Sequence, residues 1–202
     1  TLSGISRSSL FLSVRICPQK DENIRGLIMS SLRNLQTDYL DIVLLDSFSE
    51  NVIEEWRCLE ELFYESKIRS IGVVNYKPKL LETLMQQCKV EPVVNLLRFN
   101  LLSPHNEIND WMIQHGIQCV CSTPFGHGGY VDLFENEQLQ YMSSRYNKTP
   151  YQVVLRFWIQ DNIIVFPQIL YIEDLKDYMD TSNFMLGENE MEILRNFSLI
   201  KT

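Results

Sequence analysis

The run "YLDIVLLD", Tyr39 to Asp46, ends on a carboxylate. Apolar residues from Ile42 to Leu45 predict a buried strand, so Asp46 stands at its carboxyl end. In a parallel sheet that end is where ligands gather. A carboxylate there accepts hydrogen bonds, pairs with a cation, or faces solvent at the entry to a loop. A second group is Cys119-Val120-Cys121, where alternation puts both thiols on one face of a strand. A metal needs more soft ligands, and His127 is the one local candidate, so the thiols are expected as small buried hydrophobes and no metal is expected. His105, His115 and His127 are scattered and read as surface or loop residues rather than catalysts. The acidic run from Glu188 to Glu192 reads as a solvated helix start, favourable to the helix dipole.

Alternating strands and helices must position these groups. "SLFLSVRI" is strand-like, and "NIRGLIMSSLRNLQ" places Ile24, Leu27, Ile28, Leu32 and Leu35 at helical spacing. After the strand ending at Asp46 comes a helix from Val52 to Lys67, with Trp56, Leu59, Leu62 and Phe63 inward. "IRSIGVVN" is a strand, "PKLLETLMQQC" a helix with Pro in its first turn, "PVVNLLRFN" a strand, and "NEINDWMIQHG" a helix closed by Gly116. "IQCVCSTPF" is a strand. "NEQLQYMSSRYN" and "TPYQVVLRFWIQDN" are helices, the second with Thr149 as N-cap and Pro150 at its first position. "IIVFP" is a sixth strand, and "IEDLKDYM" and "GENEMEILRNF" close the chain as helices. Six strands alternating with helices imply βα units with parallel pairing. No linker or low-complexity segment interrupts residues 1–202, which read as a single domain. Neither a G-x-G-x-x-G nor a G-x-x-x-x-G-K motif is present to support an open nucleotide-binding sheet.

Composition excludes several classes. The net charge of -8 argues against nucleic acid as partner, since phosphate binding wants a basic surface. No apolar run approaches the ~18 residues of a membrane span. The polar start "TLSGISRSSL" has no signal-peptide pattern, and its lack of Met suggests trimming, processing or an incomplete start. Five cysteines without a C-x-x-C pair fit reduced thiols in the cytoplasm or the nucleus.

Five phrases in order, "SLRNLQTDYLDIVLLD", "LEELFYESKIRSIGVVNY", "KVEPVVNLLRFN", "HGIQCVCSTPFGHGG" and "NKTPYQVVLRFWIQDNIIVFPQ", closely resemble the aldo-keto reductase family, from about Arg7 to about Leu194. The resemblance implies an α/β TIM-type (β/α)8 barrel in which the six strands are the third to eighth, with the first two βα units absent from this sequence. It implies NADPH-dependent carbonyl reduction with a Tyr acid and an Asp in those absent units, and with a Lys and a His in the units present. The Lys position is Arg15 and the His position is Asp46. Arginine is larger, forked and always charged, and an ionised carboxylate opposes charge developing on a carbonyl oxygen. Strand order suggests an Arg15–Asp46 ion pair in place of the family's catalytic set.

The resemblance also maps the cofactor positions. The Ser-Asn pair reads Val74-Asn75, the Gln of the next strand is Leu96, and the stacking Tyr is Ser122. The pyrophosphate loop Ser-Pro-Leu-Gly reads Thr123-Pro124-Phe125-Gly126 and is largely kept. The Lys for the ribose phosphate is Gln168, an Arg is Asp174 and an Asn is Tyr178. The cofactor candidates are therefore Asn75, Thr123, Gly126 and Gln168, yet two lost cations and one gained anion predict NADPH binding that is weak or absent.

A lost site on an intact scaffold leads to the expectation of a non-catalytic, pseudoenzyme-like protein serving as a protein-binding scaffold or regulatory subunit, without cofactor. Its partner would be a protein, or an N-terminal segment, that completes the barrel and covers its open edges. The loop residues Tyr130, Leu133 and Phe134 are candidate contacts or packing over the barrel mouth. The alternative is an NADP(H)-dependent aldo-keto reductase acting on carbonyl substrates, with its Asp and Tyr in an N-terminal part.

Overall fold

The computed structural model describes residues 4–19, 22–46, 48–104, 106–126, 135–169 and 171–199. His105, His127, Tyr130, Leu133 and Phe134 lie outside them. The chain resolves into two compact units, Thr1–Leu96 with Trp111–Ile117 and Leu97–Asp110 with Gln118–Thr202.

The first unit carries β1 (Ser13–Ile16), α1 (Ile24–Asn34), β2 (Ile42–Leu45), α2 (Val52–Tyr64), β3 (Ile71–Val74), α3 (Pro78–Met85) and most of β4 (Val94–Leu97). Successive strands pair in parallel, with Ile16 opposite Leu45, Leu45 opposite Val73, and Val74 opposite Leu96. Every position of β2 and β3 is buried, which is why their sequences are apolar throughout rather than alternating. Gly72 permits the close approach of β3's neighbours: a Cβ there would lie 2.8 Å from the Leu44 side chain and 2.8 Å from the Val94 carbonyl oxygen. The helices cover the sheet through the faces that their periodicity predicts. Ile24, Ile28 and Leu32 are buried on α1, and Trp56, Leu59 and Leu62 on α2, where the Trp56 indole donates to the Val90 carbonyl at 3.0 Å. Asn23 caps α1 by accepting the Gly26 N–H. Leu35, expected inward, is 44% exposed because α1 ends at Asn34. Gly116 closes its helix at φ +69, with the Gly116 N–H on Ile113 O and the Ile117 N–H on Met112 O.

The second unit carries β5 (Gln118–Cys121), α5 (Glu137–Tyr146), α6 (Pro150–Gln160), β6 (Ile164–Val165), α7 (Ile172–Met179) and α8 (Glu188–Arg195); α4 (Asn106–Gln114) spans the division. β5 and β6 pair in parallel, Cys121 opposite Val165. The capping box at Thr149 and Gln152 starts α6 as expected, and Val153, Val154, Leu155, Phe157 and Trp158 are buried from it. Trp158 meets Phe99 edge-on at 5.0 Å. The acidic run departs from expectation at one residue. Glu190 is buried, because its carboxylate accepts the Gly187 N–H at the start of α8, the Tyr146 hydroxyl and an Arg145 N–H. A carboxylate with three donors can be buried where an unpaired one cannot. β6 is shorter than its five-residue apolar run, and Ile164 and Phe166 are exposed.

Candidate active site

The end of β1 and the end of β2 are brought side by side by their register. The Asp46 N–H donates to Ile16 O at 2.9 Å, continuing the ladder one residue past β2. That places the Asp46 carboxylate beside Arg15. Arg15 Nε donates to Asp46 Oδ2 at 2.9 Å, and Nη2 donates to the same oxygen. The ion pair expected from strand order is therefore present. The two partners are unequally covered: the Arg15 side chain is 45% exposed and Asp46 11%. One edge of the guanidinium is held by the carboxylate, and the charge remains accessible to a ligand.

Asn75 follows β3 in the left-handed region, at φ +57, a conformation asparagine tolerates better than most residues. Its N–H donates to Leu96 O at 2.9 Å. The next residue is clamped by the buried Asn95 amide, which accepts the Tyr76 N–H at 3.2 Å and donates to Tyr76 O at 2.8 Å. Asn95 was not singled out from the sequence, although an amide inside the apolar run "PVVNLL" is a signal, since a buried polar group must find partners. The Tyr76 phenol is fully buried and its pKa is pushed far up, first by burial and then by Glu55 and Asp46 nearby. It stays protonated. Phe48, two residues past Asp46, packs its ring 5.6 Å from that of Tyr76. Beside them a cavity of about 450 Å³ is lined by Phe48, Asn75, Lys77, Lys79, Leu80 and Thr83. Nothing local in the sequence distinguishes the two lysines from solvated charges.

In the second unit the loop after β5 is a closed turn. The Gly126 N–H donates to Thr123 O at 2.8 Å, with Gly126 at φ +81, where glycine alone carries no steric cost. The Thr123 hydroxyl donates to Phe99 O at 3.3 Å and the Ser122 hydroxyl to Leu97 O at 3.0 Å. The Phe125 ring stands edge-on to Tyr151 at 5.0 Å and tilted to Tyr178 at 5.2 Å. Gln168 is exposed just past β6. Asp174 does not present the bare anion expected from its position: its carboxylate accepts the Tyr171 N–H at 3.0 Å at the start of α7, where the helix dipole favours negative charge.

The Cys119 and Cys121 thiols are buried within β5, and burial pushes each up to about 12. The Cys121 thiol donates to Phe99 O at 3.1 Å. Among the described residues no group of three or more His, Cys, Asp or Glu could hold a metal ion. His115 lies on the surface, stacked on Trp111 at 3.8 Å with Nδ1 2.8 Å from the Trp111 carbonyl oxygen. No helix among the described residues is long and apolar enough to cross a membrane.

The strand-end geometry and the retained turn are accompanied by a match of the Aldo/keto reductase family model to residues 5–198. This chain belongs to the aldo/keto reductase family. It is 30% identical over 193 residues to the glyoxal reductase of Bacillus subtilis (strain 168), covering 94% of this chain and 69% of that protein. An aldo-keto reductase enzyme from a Medee basin deep-sea metagenome library superposes with a TM-score of 0.92 at 27% identity, over 98% of this chain and 75% of that one. An aldo-keto reductase complexed with NADPH has the same fold, with a TM-score of 0.86 at 22% identity, over 96% of this chain and 65% of the other.

These relationships overturn two expectations drawn from single residues. The non-catalytic scaffold or regulatory subunit gives way to a member of a family of oxidoreductases whose relatives are reductases by name. The expectation of no cofactor gives way as well, since this aldo/keto reductase chain shares the fold of an enzyme that holds NADPH. The physical reason lies in what was added up. Side-chain replacements within one site do not act as independent losses. Asp174, however, is engaged by its own helix, and the turn at Thr123–Gly126 is closed by its own backbone hydrogen bond, which the replacements leave intact. In a cofactor enzyme the hard chemistry belongs to the cofactor, and the protein supplies position and charge.

Proposed function

We propose that this chain forms the third to eighth βα units of an NADP(H)-dependent aldo-keto reductase that reduces small carbonyl compounds. Glyoxal, the substrate named for the Bacillus subtilis relative, represents the class. The observation that carries the reading is the half-exposed Arg15 guanidinium, held by Asp46 at the carboxyl ends of neighbouring parallel strands. Barrel enzymes of this kind work at that face. Two N-terminal βα units ahead of β1 would complete the barrel and bring the family's Tyr acid and Asp.

Each unit, taken by itself, holds candidate positions for one part of a dinucleotide. In the first unit, the Asn75 amide at its fixed left-handed position would meet the carboxamide of the nicotinamide. In the second, the Thr123–Gly126 turn would lie along the diphosphate, and Gln168 would meet the ribose phosphate as a neutral donor. When bound, NADPH supplies the hydride. Arg15 then does what a charged donor can do: it stabilises the negative charge that develops on the carbonyl oxygen, while Asp46 fixes its orientation and limits its reach. The family's Tyr acid, in units ahead of β1, would return the proton.

The test follows NADPH absorbance with glyoxal, using the full-length protein and Arg15→Met. The expected result is turnover in the first and a kcat/KM lower by about 10²-fold in the second, with a melting temperature raised by NADPH in both. A full-length protein that neither consumes NADPH with glyoxal nor melts higher in its presence would overturn the proposal.

A further inference from the structure

β5 and β6 lie in the second unit and end side by side, with Cys121 opposite Val165. In barrel folds the loops after the last two strands are a recurrent place for phosphates. In this chain those loops carry no cation. No Lys or Arg occurs from Ser122 to Ser144 after β5, nor from Phe166 to Leu175 after β6.

The two loops differ in what they offer an anion. The Thr123–Gly126 turn is closed by its own backbone, with the Gly126 N–H on Thr123 O. A diphosphate can lie along such a turn without a side-chain charge. The start of α7 would ordinarily welcome a further anion, since unpaired N–H groups and the helix dipole converge there. That place is taken. The Asp174 carboxylate accepts the Tyr171 N–H at 3.0 Å, and Glu173 stands beside it in the first turn. Gln168, exposed just past β6, is neutral. A ribose phosphate would bring a charge of about -1.5 to -2 to this loop and meet carboxylates instead of cations.

We propose that the ribose end of the cofactor is read as a hydroxyl, so that this chain binds NADH in preference to NADPH. The proposal rests on the reductase reading for the presence of a dinucleotide. NADPH remains a ligand, the weaker of the two. A carboxylate accepts hydrogen bonds at about four sites, so the Tyr171 bond does not exhaust Asp174, and a ribose hydroxyl supplies a donor. Gln168 can serve the same hydroxyl, because its amide both donates and accepts. Open dinucleotide-binding sheets make the same distinction: an acidic residue takes the ribose hydroxyl of NAD, and an arginine takes the phosphate of NADP.

The full-length protein is titrated with NADH and with NADPH, following nucleotide fluorescence and the melting temperature. NADH is expected to bind about tenfold more tightly. The gap should narrow with added salt, which screens repulsion between exposed charges. Gln168→Lys should improve NADPH binding about tenfold and leave NADH nearly unchanged. Asp174→Asn keeps an acceptor for the Tyr171 N–H without the charge, and should improve NADPH binding about threefold. Glu192→Gln, which removes a carboxylate from α8, should change neither, since the effect is local and not one of net charge. Tighter binding of NADPH than of NADH, or a preference that Gln168→Lys and Asp174→Asn leave unmoved, would overturn the proposal. Binding of neither nucleotide would overturn it together with the reductase reading. Otherwise the two readings fail separately. NADH-preferring binding without turnover of glyoxal keeps this inference and removes the reductase reading; turnover with NADPH preferred does the reverse.

Discussion

The same two strands carry an arginine–aspartate pair at each end, and the two pairs are built differently. Before β1 and β2, Asp41 accepts Arg7 Nη2 at 2.7 Å and the Leu12 N–H at 2.8 Å, and Arg69 Nη1 lies 3.5 Å away. Every nitrogen of that guanidinium is used, since Arg7 also donates to Thr37 Oγ1, Leu10 O and Tyr39 O. Both guanidinium groups lie over the Tyr39 ring, at 3.9 and 3.7 Å. After the strands, Arg15 meets Asp46 through two nitrogens on one oxygen. Its side chain is 45% exposed, against 21% for Arg7. The first pair is saturated and ties the chain together. Among the described residues the second is anchored through Asp46 alone, and its guanidinium stays half exposed. In barrel folds stability gathers at the amino ends of the strands and chemistry at the carboxyl ends, and the unequal exposure of the two pairs runs in the same direction.

The largest effect should come from breaking the saturated pair. Asp41→Ala strands a partly buried guanidinium and the Leu12 N–H, and should cost about 3 kcal/mol in urea unfolding. A loss below about 1 kcal/mol would make the two ends equivalent and end the contrast. The same residue sharpens the comparison through pH. Burial pushes the Asp41 carboxyl up, but the Leu12 N–H and Arg7 outweigh it and hold it below the usual carboxylate value. A depressed folded pKa means stability that is fully present above the unfolded carboxylate pKa of about 3.9 and is lost as pH falls through the folded value. The gap in urea midpoint between wild type and Asp41→Asn should therefore narrow below about pH 4.

Asp46→Asn should cost less than about 1 kcal/mol of stability, because its partner is half in water. Its signature should instead be kinetic: a lowered kcat and kcat/KM for glyoxal with the melting temperature nearly unchanged. A drop in stability matching that of Asp41→Ala would show that this pair, too, is structural. The smallest effect concerns thiols. Cys17, one residue past β1 and exposed, should be labelled by maleimide in the native protein, whereas Cys119 and Cys121 should label only on unfolding. Labelling of all three at similar rates would contradict the burial of β5.

Much of the fold was legible because its signals are local. Pro150 after Thr149 marked the start of α6, Gly116 closed its helix, and the apolar runs at Ile42–Leu45 and Ile71–Val74 named strands buried on both faces. The family and the positions of Arg15 and Asp46 followed from phrases that are themselves contiguous. Less of the candidate site was legible. Glu190 read as a solvated charge and is buried, since its partners Arg145 and Tyr146 stand on another helix, 45 and 44 residues away. Asp174 read as an anion in the way of a phosphate and caps its own helix.

By itself, the sequence determined the order and type of the elements, the faces they bury and the family to which the chain belongs. Periodicity and caps act within one or two turns of chain, so they survive without knowledge of what packs against them. Only the tertiary structure decided which charges meet. The Arg15–Asp46 contact joins residues 31 apart and exists because Ile16 stands opposite Leu45; a one-residue slip of either strand would leave the two side chains on opposite faces. The Asn95 clamp on Tyr76 and the cavity between Phe48 and the two lysines likewise arise where separate loops converge. Convergence of that kind is set by register and packing across the chain, and no short stretch of residues encodes it.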